Sequence, residues 1–378
     1  MKGRLGKRLI RTGWIVLILL VLSGVAVGLY YLLPEPPEDE FRIAREAIAT
    51  ARDAEADRYA KELFRDACAD YDSAMANWKR QNQRFIFRRD FTKALQLVSS
   101  ASEKARRSAR EALDKAAKVS HSTGATVNQL ENQISIFEKL YAPLPIPQKT
   151  REHFNRAKML LSEAKIARGK AEFHTAEEKL GQAVQLFDQS NLQAREMMES
   201  YFDSYPKWKS WVEQAIATSR RQNSEVIVVD KMAQECLLYA GGDLKRKFKV
   251  EFGPNWIGNK EYKGDQATPE GNYYVVQKKD RRRTIYHKAL LLNYPNQDDR
   301  VRYKKNIAEG KFSAQTDIGG LIEIHGHGGR DFHWTNGCVA LTNSDMDVLF
   351  RMVSVNTPVT IVGSLKTLQN WMEDELAK

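Results

Sequence analysis

The chain has 378 residues, with 59 Lys and Arg against 48 Asp and Glu for a formal net charge of +11, which allows two or three domains and one sizeable core. Five of the cations (Lys2, Arg4, Lys7, Arg8 and Arg11) crowd the first eleven residues, and the others alternate with acids; this reads as an orientation signal plus solvated surface, and it excludes a phosphate-binding stripe and a nucleic-acid partner. Three cysteines without metal-ligand spacing give no reason to expect a metal or a cofactor.

In chain order, a basic tip (1–13) precedes an uncharged apolar run from Trp14 to Leu33. About twenty helical residues cover the roughly 30 Å of a hydrocarbon core. The cations before the run and Glu35, Glu38, Asp39 and Glu40 after it then predict a single-pass anchor in the inner membrane, with the N-terminus in the cytoplasm and the rest in the periplasm. The end of the run, Tyr30-Tyr31-Leu32-Leu33, fits a cleaved signal peptide poorly. Residues 34–41 form a linker.

Residues 42–221 read as helix. Apolar and small residues return at three- and four-residue spacing, as at Ala157, Leu160, Leu161, Ala164 and Ala167. Small residues on one face let helices approach closely. Asp57 is an expected N-cap, Ser122-Thr123-Gly124 an expected break, and Pro143 to Pro147 a turn. This arm of helical hairpins or coiled coil is a spacer or a docking surface for an envelope protein partner. Pro206 to Gln222 is one more amphipathic helix.

From Glu225 the pattern changes to short β-rich runs at 225–230, 236–240, 247–252, 272–277, 286–293, 320–325 and 358–362. Lys278 to Arg283 reads as a solvated hairpin tip. Asn343 to Val353 reads as a helix capped by Asn343 or Ser344, and 365–378 as a C-terminal helix. The domain at 222–364 is therefore expected to be a β-rich mixed sandwich, in an α+β multidomain chain behind an all-α arm and a transmembrane helix. Cys68 and Cys236 lie in apolar patterns and read as packing residues.

The chemistry concentrates between Ile324 and Val339, in the run His325-Gly326-His327-Gly328-Gly329-Arg330-Asp331-Phe332-His333-Trp334-Thr335-Asn336-Gly337-Cys338. Cys338 follows a glycine, so the backbone can turn sharply and present the sulfur. The amides of Asn336, Gly337 and Cys338 could converge on an anionic oxygen. A thiol paired with an imidazole can have a pKa of roughly 3.5–7.5, against about 8.5 when free. Three histidines compete as base: His325, His327 and His333.

This stretch resembles the L,D-transpeptidase (YkuD-like) catalytic domain, whose signature is a His-Gly pair, a loop and Ser/Thr-x-Gly-Cys-Ile/Val. Trp334-Thr335-Asn336-Gly337-Cys338-Val339-Ala340-Leu341 is similar to a subgroup from Gram-negative bacteria. Ala267-Thr268-Pro269-Glu270-Gly271-Asn272-Tyr273 and Leu292-Asn293-Tyr294-Pro295-Asn296 resemble further segments of the domain. The resemblance covers roughly residues 222–364.

It implies Cys338 as nucleophile and His325 as base, oriented by the Gly326 carbonyl, with Thr335, Asn336 and Gly337 supporting the oxyanion. It implies Trp334, His333, His327, Tyr294 and His287 as candidate substrate contacts. The implied donor is a peptidoglycan tetrapeptide stem of the meso-diaminopimelate type, acylating the cysteine without metal or cofactor. The sequence departs from many relatives in carrying Asn336 for a histidine, Ala340 for Arg or Asn, and His333 for an acid. A hydrolase using the same residues and a non-catalytic wall scaffold working through the arm are the rival expectations.

Overall fold

The computed structural model describes residues 3–31 and 34–378. The chain divides into two compact units, one comprising Met1–Ala125 and Ala167–Glu177, the other Thr126–Ile166 and Glu178–Lys378.

The first unit is helical. It holds α1 (Gly3–Tyr31), α2 (Glu38–Asp53), the short α3 (Ala56–Tyr59), α4 (Lys61–Asn82) and the first part of α5 (Thr92–Leu140). Its interior is built from alanine: Ala44, Ala51, Ala67, Ala74, Ala94, Ala101, Ala105 and Ala112 are fully buried. Side chains this small leave little area to bury, so close backbone approach and a few larger contacts hold the bundle. Phe41 stacks on Trp78 with centroids 4.7 Å apart, and the Asp70 carboxylate accepts from Ser100 Oγ at 2.7 Å and Lys104 Nζ at 2.6 Å.

Two local expectations change in this unit. Asp57 lies inside α3, whose N-cap is Glu55 in a left-handed conformation. The expected break at Ser122-Thr123-Gly124 is absent, because α5 runs through it. Thr123 Oγ1 turns back to the Val119 carbonyl at 2.7 Å, and a Cβ on Gly124 would meet the Arg168 guanidinium at 2.7 Å, so glycine here serves a close side-chain approach.

The single-pass anchor is also corrected. Among the described residues no helix is long and apolar enough to cross a membrane. A span needs about 20 consecutive apolar residues, whereas the expected run from Trp14 to Leu33 is described only as far as Tyr31. Met1, Lys2, Leu32 and Leu33 lie outside the described residues. The inner membrane as a partner, the cytoplasmic tip at 1–13 and the periplasmic placement lose their support with the anchor.

The second unit joins helices to a mixed sheet. Its helices are the remainder of α5, α6 (Gln148–Gly169, as far as Ile166), α7 (Phe173–Phe202, from Glu178), α8 (Tyr205–Gln222), α9 (Gln297–Ala308), α10 (Asn343–Met352) and α11 (Leu368–Ala377). Its strands are β1 (Glu225–Asp230), β2 (Glu235–Ala240), β3 (Asp243–Lys249), β4 (Gly271–Asp280), β5 (Lys288–Leu292), β6 (Glu323–His325), β7 (Val339–Ala340) and β8 (Pro358–Val362). They run in the order β3-β2-β1-β8-β4-β5-β6-β7, with β1–β8 and β6–β7 parallel and the other pairs antiparallel. Strand β4 turns the sheet: Gly271–Tyr274 pair with β8, a register shift follows at Val275, and the rest pairs with β5. Buried and exposed residues alternate along its first half, the period expected of a strand with one covered face.

Helix α8 is fastened to this sheet through a buried carboxylate. Glu270 accepts from Lys231 Nζ at 2.7 Å, Tyr201 Oη at 2.8 Å and Trp208 Nε1 at 3.1 Å. Lys231 is fully buried and also donates to the carbonyls of Gly258 and Thr268. Burial pulls its pKa down, and the Glu270 charge opposes that shift. A Cβ on Gly363 would meet the Trp208 ring at 2.2 Å, so the strand end accepts the indole only because it carries no side chain.

Elsewhere in this unit, the expected solvated tip at Lys278 to Arg283 holds only at its end, where Arg282 and Arg283 are exposed. Strand β4 continues to Asp280, Lys278 Nζ donates to the Phe350 and Val353 carbonyls at the end of α10, and Lys279 pairs with buried Glu323 at 2.7 Å. The α10 cap is Thr342, one residue before the expected Asn343.

Replacing Glu270 with Ala strands the Lys231 ammonium and two ring donors inside the protein. Loss of one partner of a buried pair costs about 3–5 kcal/mol, so E270A is expected to lower the unfolding free energy of this unit by that amount, measured by denaturant titration followed by tryptophan fluorescence. A change below about 1 kcal/mol contradicts the role given to the pair.

Candidate active site

The site forms where β6 meets β7. In the parallel register Ile324 lies beside Val339 and His325 beside Ala340, so the residue before β7, Cys338, comes beside Glu323. The Glu323 amide donates to Cys338 Sγ at 3.4 Å. Side chains two residues apart on a strand share a face. Cys338 and His325 therefore stand on adjoining segments of one ladder, two residues out of step along β6.

His325 is fully buried, and its Nδ1 lies 2.6 Å from the Gly326 carbonyl. With the proton on Nδ1 this is a donated hydrogen bond, and Nε2 is left as the basic atom. Nε2 is buried with no hydrogen-bond partner. Tyr286 lies flat on the imidazole, with centroids 3.5 Å apart and planes 8° apart, and Trp334 stands edge-on at 5.7 Å. The backbone around the ring is locked: Gly326 N donates to Lys288 O, Gly328 N to Leu341 O, and Leu341 N to His325 O. A Cβ on Gly326 would meet Asn343 Oδ1 at 2.6 Å, and that oxygen instead accepts the His327 amide at 2.8 Å.

The turn that presents the thiol is equally constrained. Gly337 has φ +112°, and a Cβ there would lie 2.5 Å from the Ala267 carbonyl, so only glycine fits. Thr335 Oγ1 donates to the Cys338 carbonyl at 2.8 Å and accepts the Gly337 amide at 3.3 Å. One of the three amides expected to face an oxyanion is thus committed to Thr335; those of Asn336, which is exposed, and Cys338 are the remaining candidate donors.

Burial sets the electrostatics. It pulls His325 down to about 4 and pushes the Cys338 thiol up to about 11. Burial thus favours the neutral form of both groups, against the thiolate–imidazolium pair suggested by the sequence.

The other histidines are used differently. His333 Nδ1 accepts the Phe252 amide at 3.0 Å while its ring stacks on Phe252, so its lone pair is committed to structure. His327 is exposed with φ +71°. His287 Nε2 lies 2.8 Å from Asp347 Oδ1, which also takes Lys288 Nζ. Tyr294 is buried and gives its hydroxyl to the Ile318 carbonyl at 3.1 Å, so it is not brought among the site residues.

Sequence reasoning missed Glu251 and Tyr286. Buried Glu251 accepts the amides of Arg330 and Asp331 and, at 2.8 Å, the Trp334 indole N–H, while its own backbone bridges Ala340. It fastens the 330–334 loop to the strand that follows Cys338. No local signal separates it from any other acid at a strand end.

Residues 224–361 match the family model of the L,D-transpeptidase catalytic domain, YkuD. Over 98 residues the chain is 31% identical to YafK of Escherichia coli (strain K12), which is provisionally named an L,D-transpeptidase; the match covers 26% of this chain and 32% of that protein. The chain therefore spans about a third of the length of this curated relative. The helical cell shape determining protein Pgp2 from Campylobacter jejuni aligns at 22% identity and TM-score 0.30, covering 40% of this chain and 52% of the other. Bd1075 of Bdellovibrio bacteriovorus aligns at 20% identity and TM-score 0.29, covering 42% and 55%. An L,D-transpeptidase from Mycobacterium smegmatis aligns at 15% identity and TM-score 0.25, covering 36% and 58%. Scores this low carry no argument about function.

A thiol pushed up to about 11 is mostly protonated at neutral pH. Alkylation of Cys338 by iodoacetamide, followed by peptide mass spectrometry, is expected to be slow at pH 7 and to keep rising past pH 9. A rate that levels off below pH 7 contradicts the neutral pair.

Proposed function

We propose that this domain is a cysteine acyltransferase acting on peptidoglycan stem peptides, with Cys338 as nucleophile and His325 as general base. The observation that carries this reading is the parallel β6–β7 register, which brings the segment bearing Cys338 beside the strand that bears a buried imidazole whose Nε2 has no hydrogen-bond partner among the described residues. The family match over residues 224–361 supports the substrate class.

A tetrapeptide stem enters with the carbonyl of its third residue, of the meso-diaminopimelate type, at Cys338. His325 Nε2 takes the thiol proton as Sγ attacks, so charge appears only with the substrate in place. The amides of Asn336 and Cys338 receive the oxyanion; one such donor is worth about 2.7–4 kcal/mol. The proton then passes from Nε2 to the departing D-alanine amine, the C–N bond breaks, and a thioester remains. An acceptor amine, deprotonated by the same imidazole, releases the product; water in its place gives a tripeptide. Tyr286 and Trp334 keep the imidazole dry and in plane through both steps.

Incubation with a disaccharide-tetrapeptide is expected to add the acyl mass to Cys338 and release D-alanine, read by intact-protein mass spectrometry. H325A should slow adduct formation by roughly 10²–10⁴-fold, and C338A should abolish it. Peptide dimers report transfer and tripeptide reports hydrolysis. An unchanged protein mass with a demonstrably reduced thiol would sink this reading.

A further inference from the structure

We infer that Arg330 is a specificity-determining residue that takes a carboxylate of the peptide substrate, an inference that rests on the acyl-transfer reading of this site. Its guanidinium lies 3.8 Å from the centroid of the Trp334 ring, and that ring stands edge-on to His325 at 5.7 Å. The cation is thus placed one indole away from the candidate base, at the exposed rim of the site.

Three features set it apart from an ordinary surface arginine. Its main chain is fixed, because the amides of Arg330 and Asp331 both donate to buried Glu251, which also holds the Trp334 indole. Its side chain is fixed at the near end, because Nε donates to the His327 carbonyl at 3.1 Å. And among the described residues it has no carboxylate side chain as partner: the adjacent Asp331 pairs with Lys249 at 3.3 Å. The two terminal nitrogens remain as an oriented fork, the geometry that suits a carboxylate.

The two cations whose charge reaches Cys338, Lys260 and Lys279, are each paired with a carboxylate, Lys260 with Asp265 at 2.6 Å and Lys279 with Glu323 at 2.7 Å. Two residues beyond Cys338 stands Ala340, buried in β7 and without charge. Lys288 is committed to Asp347. Stacking on the indole holds the guanidinium in place at little entropic cost, so a bound carboxylate gains a largely prepaid contact.

A stem peptide offers two carboxylates near the reacting bond: the C-terminus of the leaving D-alanine and the side-chain carboxylate of the third residue. Both have the same chemistry, and amidating each in turn distinguishes them. The test uses the full chain in a C338A background, so that binding is read without chemistry, by tryptophan fluorescence against the tetrapeptide and its two mono-amides. One of the amides is expected to bind roughly 10- to 100-fold more weakly than the free acid. R330A should weaken the free acid by a similar factor and leave that amide unchanged, with R330K recovering part of the loss.

Equal weakening of the acid and both amides by R330A, no weakening at all, or no binding of any of the three peptides overturns the inference. The same peptides given to the wild-type chain separate it from the broader reading. Arg330-dependent binding without a thioester on Cys338 would overturn the acyl-transfer proposal and leave the carboxylate contact standing.

Discussion

Val339 and Ala340 pair in parallel with Ile324 and His325, and this two-residue ladder is the contact on which the candidate site depends. Without it the His-Gly segment and the Gly-Cys turn are two unrelated loops. The ladder is short, so it is held from outside. The Glu251 backbone bridges Ala340 on the far side, and β5 pairs with β6 on the near side. Glycine at 326 and 337 lets neighbouring oxygens occupy the space a side chain would fill, which turns two flexible positions into two fixed ones.

Burial then does to the pair what sequence proximity alone could not. The imidazole lies buried under Tyr286 and the thiol lies against the Glu323 amide, and burial favours the neutral form of each. In the reaction proposed above, charge appears only as a substrate carbonyl arrives.

Two buried carboxylates do the fastening at a distance from the sulfur. Glu251 gathers amides and an indole to hold the 330–334 loop, and Glu270 gathers an ammonium, a phenol and an indole to hold α7 and α8 on the sheet. Both act through several convergent hydrogen bonds to the carboxyl oxygens, which fix direction as well as distance. The cost of such groups is that each partner must be present, since a lone buried charge is far more expensive than none.

What the sequence determined by itself was local. Short β-rich runs marked β1, β2 and β8 within a residue and the start of β4, and the small-residue spacing marked the helices, because backbone preference and period are properties of neighbouring residues. The His325–Gly326 and Gly337–Cys338 pairs were legible for the same reason: a cysteine behind a glycine is a turn written in consecutive residues. Tertiary structure decided what depends on residues far apart. Helix α9 rests on a capping box between Asn296 and Asp299 that the sequence reading took only as a motif. The α5 break disappeared because Arg168 approaches Gly124 from another part of the chain. The protonation of Cys338 and His325, the use of His333 as a hydrogen-bond acceptor and the gathering of the 330–334 loop on Glu251 all arise from burial. Desolvation is summed over everything packed around a group, and no window of sequence contains that sum.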